Sequence, residues 1–122
     1  MTALLAMSTL TMGGCAQSGA DTSADGRTEL VFWYSGGKTA VGVWDKLIAE
    51  FNASQELYTV TGVTQADYDE TYQKVQAGIA SKTAADVVLL DADKARNLAE
   101  KKLLEDISVY VKEDSSFEKE DY

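Results

Sequence analysis

From Glu29 onward the hydrophobic spacing switches repeatedly between the two-residue period of a strand and the 3.6-residue period of a helix. Leu30-Val31-Phe32-Trp33-Tyr34 is a short apolar run that stops at the turn Ser35-Gly36-Gly37. Ala40, Trp44, Leu47, Ile48 and Phe51 then recur on one helical face, and the pattern ends near Asn52. Residues 57–63 (LYTVTGV) alternate and are rich in β-branched side chains, which predicts a second strand. Alternation of this kind leaves few topologies. Each strand–helix–strand unit closes with a right-handed crossover, giving an α/β fold in which helices cover both faces of a parallel sheet, three layers in all.

The same alternation continues. Asp67 stands three residues before Glu70, the acidic form of a capping box, and predicts a helix whose buried stripe is Tyr68, Tyr72, Val75 and Ile79. Val87-Val88-Leu89-Leu90 is a continuous apolar run, as expected of a parallel strand covered on both faces. A helix is predicted from about Lys94 to Lys101, and a weaker one around residues 107–111. Ligands of open parallel sheets sit beyond the carboxyl ends of the strands, here residues 34–37, 63–68 and 91–93. Three strands make a small sheet with an exposed edge, and residues 112–122 are charged and patternless. Residues 29–122 therefore read as a partial, incomplete domain.

The first twelve residues, MTALLAMSTLTM, are uncharged and largely apolar. They are too few to cross a bilayer, which takes roughly 17–25 residues, but suit the apolar core of a secretory signal. Small residues Gly13 and Gly14 lie directly before Cys15. This resembles a bacterial lipobox, in which the cysteine is lipidated after cleavage. No Lys or Arg precedes the apolar run, which points to a start upstream of Met1. Residues 1–15 are thus assigned as a lipoprotein signal, and residues 16–28 (AQSGADTSADGRT), small and polar, as a flexible tether. The alternative is an apolar N-terminus with a chance cysteine.

Composition removes several functions. A net charge of −9 repels nucleic-acid phosphates and anionic headgroups. With no histidine, the chain lacks an ordinary Ser-His or Cys-His pair and any imidazole metal ligand. A single cysteine forms no internal disulfide. Gly36-Gly37-Lys38-Thr39 suggests a phosphate loop, but the position that should carry that motif's first glycine is Phe32, inside the strand. No pair of carboxylates stands out as a glycosidase acid and base, and the acidic clusters lack the glycine and distal Glu of a calcium loop. No metal and no cofactor is expected. A structural surface lipoprotein remains an alternative.

Five stretches in order resemble the extracellular solute-binding proteins that serve ABC importers of carbohydrates. They are residues 32–37 (FWYSGG), 47–52 (LIAEFN), 68–81 (YDETYQKVQAGIAS), 85–88 (ADVV) and 98–107 (LAEKKLLEDI). The likeness is nearest to the glycerol-3-phosphate and maltodextrin branch. It implies a periplasmic-binding-protein-like lobe, of which this chain resembles the first part. The whole protein would then have two lobes hinged around the ligand and no enzymatic activity. The implied partners are a small-molecule solute (a sugar, oligosaccharide or glycerol phosphate) and ABC permease subunits. The protein would be a monomer on the outer face of the bacterial cell membrane, held by its lipid alone. Departures from the family pattern are Ala85 for a customary proline, Lys82 and Lys102 for customary glycines, and Tyr34 where histidine is common.

Ligand contacts are expected from the three strand ends. Ser35, Gly36 and Gly37 would offer backbone N–H groups to a phosphate or hydroxyl, or simply make a strand-to-helix turn. Tyr68 matches the family's ring after the second strand, which stacks on sugar; its place in the apolar stripe suits core packing equally. Asp91 and Asp93 would accept sugar hydroxyls, or one would cap the next helix. Of the neighbours Trp33 and Tyr34, which alternate faces, Tyr34 is assigned to the cleft and Trp33 to the core.

Overall fold

The computed structural model describes residues 22–114. It is an α/β arrangement with seven elements among those residues: β1 (Thr28–Ser35), α1 (Lys38–Ser54), β2 (Tyr58–Gln65), α2 (Tyr68–Ser81), β3 (Val87–Val88), α3 (Ala92–Glu100) and α4 (Ser108–Glu113). The sheet runs β2-β1-β3, with both pairings parallel. Thr28 through Ser35 pair in unbroken register with Tyr58 through Gln65. This is the expected fold, and it suits part of a periplasmic-binding-protein-like lobe. Thr28, assigned from sequence to the tether, opens β1, and Arg27 donates to the carbonyl of Asn52 at the end of α1, at 3.0 Å.

Strand alternation sorts the layers. Even-numbered β1 residues face α1: Phe32 and Tyr34 meet the Trp44 ring at centroid distances of 5.3 and 6.4 Å. Odd-numbered residues face the other side, where Lys74 of α2 donates to Gln65, the register partner of Ser35, at 2.7 Å. The best-buried apolar side chains among the described residues are Tyr34, Val75 and Leu98. Two expectations about packing need correction. The buried face of α2 is Thr71, Val75 and Gly78, whereas Tyr68 is 38% exposed. The third strand is only Val87–Val88, extended by one bond from the Leu89 N–H to the Trp33 carbonyl. Beyond that bond the chain turns into the cap of α3. Val87 is also half exposed, so no described element covers it on the α1 face.

The two sheet edges are finished differently. Along the outer edge of β2, the Asn52 amide both accepts from the Val60 N–H and donates to the Val60 carbonyl, at 2.8 and 2.9 Å. Gln55 does the same for Tyr58, so at these two residues side chains occupy the bonds a further strand would need. Asp86 accepts from the Val31 N–H at 2.7 Å, where β3 has not yet begun. Beside β3 lies an apolar groove of about 430 Å³ between the strand and the segment leading to α4, lined in part by Val88, Leu90, Leu104 and Ile107.

Candidate functional site

Parallel register brings the carboxyl ends of the three strands to one rim, so Ser35, Tyr68 and Asp91 lie at the same end of the sheet. Each residue after a strand opens a helix, but the three openings differ. Asp67 caps α2 by accepting from the Glu70 N–H at 2.7 Å, and Asp91 caps α3 by accepting from the Lys94 N–H at 2.9 Å. At α1 the cap is Gly37, which contributes no side-chain bond. The first N–H groups of α1 therefore lack a side-chain cap, next to the exposed Gly36 and Gly37.

Of the two glycines, only Gly36 is required by the backbone. Its φ is +152°, and a Cβ there would stand 2.9 Å from that of Ala40. Gly37 has an ordinary extended φ of −67° and open space around it. Ser35 is buried against the α2 side of the sheet. Tyr68, at the first position of α2, is 38% exposed.

Tyr34 does not face an open cleft. It is 2% exposed, lies under α1, and donates its hydroxyl to Asp45 Oδ1 at 2.5 Å. That bond, together with burial, raises its pKa above the ordinary tyrosine value. Trp33, assigned to the core, is the less buried of the two. The sequence pattern fixed the alternation of faces but not which face a helix would cover.

The rim also gathers residues the sequence reading passed over. Lys94 places its ammonium 2.6 Å from Asp91 Oδ2 and 2.9 Å from Asp69 Oδ1. Hydrogen bonds from Lys94 hold the Asp91 carboxyl below the usual carboxylate range, and Asp91 and then Asp69 raise the Lys94 ammonium above the usual lysine range. Asp93 stays open, its side chain 95% exposed and 3.7 Å from Arg96. The Asp91-to-Lys94 spacing of three was legible in sequence as that of an N-cap and the third residue of the helix it opens. The reach of Lys94 to Asp69 was not, because it depends on how α2 and α3 sit on the sheet. Among the described residues no cluster of three or more metal-ligating side chains forms, and no helix is long and apolar enough to cross a membrane. Cys15 lies outside the described residues.

Chemically, the rim offers uncapped amides, an accessible phenol ring, and carboxylates of which one is already neutralised. Groups of these kinds are able to exchange hydrogen bonds with a small polar molecule. Comparison with known proteins yields no match among curated proteins or solved structures. A family model for bacterial extracellular solute-binding proteins matches residues 46–121, well over half of the chain. That span takes in most of α1 and everything described after it, including the rim segments that carry Tyr68, Asp91 and Lys94. The family is non-enzymatic and supplies ABC importers with solute. On this match and the fold together, the chain belongs to the bacterial extracellular solute-binding protein family.

Proposed function

We propose that this chain contributes one wall of a cleft that captures a carbohydrate or a glycerol-phosphate-type solute for import. The contacts are the backbone of Ser35, Gly36 and Gly37, the Tyr68 ring, and the carboxylates of Asp91 and Asp93. Tyr34 serves behind them, fixing the end of β1 against α1. One observation carries the reading: α2 and α3 are each capped by their own aspartate at the rim, whereas α1 is left without a side-chain cap. Its free donors suit a phosphate oxygen or a sugar hydroxyl, and the exposed Tyr68 ring suits a sugar face.

The full protein closes a second lobe over the solute, stabilised by contacts made only in the closed state. It then docks on the permease subunits as a monomer. Residues 1–15 act as a lipoprotein signal, and Cys15 carries the lipid that holds the protein to the extracellular face of the cell membrane. Isothermal titration of the full-length protein with maltose, maltodextrins, glycerol-3-phosphate and glycerophosphodiesters tests the solute class. Heat with at least one of them is expected, and none with any would overturn it. Radiolabelled palmitate should enter the wild-type chain and be lost on Cys15→Ala; equal labelling would exclude the anchor.

A further inference from the structure

Helices α2 and α3 meet through polar side chains on two successive turns. At the rim Lys94 reaches Asp69, and one turn lower the Tyr72 hydroxyl donates to Asn97 Oδ1 at 2.5 Å. Both steps, Asp69 to Tyr72 and Lys94 to Asn97, are three residues, so each pair of side chains stacks on one face of its helix. Lys94–Asp69 is the one ion pair joining two separate elements of the described residues. The remaining pairs are local in sequence, four residues apart or fewer. The Lys94 side chain is also the least exposed of those in ion pairs.

We infer that Lys94 is a positioning residue of the binding rim, which sets the separation between the first turn of α2, which presents Tyr68, and the cap of α3, which presents Asp91. This rests on the proposed solute site. One ammonium serves two carboxylates, one in the first turn of α2 and one capping α3, and the Lys94 backbone N–H holds the second oxygen of Asp91. Both Asp91 oxygens are therefore engaged by a single residue, which fixes the carboxylate's direction as well as its place. Without the ammonium, Asp69 and Asp91 become two like charges brought close by the fold, and the two segments repel. The Tyr72–Asn97 rung ties the same helices but touches neither segment, so it supplies a control for stability alone.

The test uses the full-length protein as wild type, K94M, K94R, D69N and Y72F. Amide hydrogen exchange of unliganded protein is read at residues 67–70 and 91–94, and affinity for glycerol-3-phosphate and maltose by calorimetry. Expected for K94M is about tenfold faster exchange at both segments and at least about tenfold weaker binding, with most of both restored in K94R. D69N, at an exposed position, should loosen residues 67–70 alone and decides the matter if K94M does not fold. Y72F should lower Tm with neither effect. Unchanged exchange at residues 67–70 in K94M or D69N, or equal loosening in Y72F, would overturn the inference. If wild type binds neither probe, the solute reading fails while the exchange data still judge Lys94.

Discussion

Gly62 of β2 exists to admit the ring of Tyr34. A Cβ at Gly62 would fall 2.9 Å from Tyr34 Cε1 and 2.6 Å from Ile48 Cδ1, closer than packed carbons come. The glycine thus leaves a slot that the tyrosine ring occupies on its way to Asp45. Gly62→Ala should therefore lower stability by about 1–3 kcal/mol through overpacking, despite the better strand propensity of alanine. Urea denaturation of the two proteins measures it, and an unchanged midpoint would show the slot to be dispensable.

Two lysines occupy the left-handed conformation that usually closes a helix with glycine. Lys82 has φ +59° and Lys102 φ +57°. In each case the next residue's N–H bonds five residues back, Thr83 to Gly78 and Leu103 to Leu98. The departure from the family pattern therefore changes the cost of the turn and not its shape. Lys82→Gly and Lys102→Gly should each raise stability by up to about 1 kcal/mol, read as an upward shift in Tm. A downward shift would mean the lysine side chains contribute more than the backbone strain costs.

Thr59 Oγ1 is a buried hydroxyl without a hydrogen-bond partner among the described residues. Leaving such a group unpaired is unfavourable, while the isosteric methyl carries no such penalty. Thr59→Val should be neutral or stabilising, by up to about 1 kcal/mol. Thermal melts decide the sign.

The rim should fail in acid before it fails in base. The Asp91 pKa lies below its reference of 3.8, so its contribution is complete above that value and is lost as pH falls through the lower folded-state one. Lys94 is raised, so its contribution persists through the ordinary lysine range and is lost only above it. Far-ultraviolet melts should give a Tm that falls as pH drops below about 4, with Asp91→Asn showing a shallower acid limb. Identical limbs would place the acid sensitivity elsewhere.

Asp67→Ala removes the N-cap bond to Glu70 and should destabilise by about 1 kcal/mol. The same change should speed exchange in the first turn of α2, which presents Tyr68. Wild-type exchange there would separate the cap from the loop.

The sequence by itself determined the order of elements and their type, because a period of two and a period of 3.6 are properties of neighbouring residues. It also placed the Asp67 cap and the convergence of three strand ends, since parallel strands with right-handed crossovers have no other end at which to gather. The tertiary structure alone decided what depends on partners distant in the chain. Tyr34 turned inward because α1 lies over its face and Asp45 and Gly62 receive it. Asn52 came to close the β2 edge through an amide that matches one backbone unit. Lys94 came to join Asp69 and Asp91 because the crossovers set α2 beside α3. A side chain's neighbours along the chain fix its direction, but what it meets there is fixed by packing between elements.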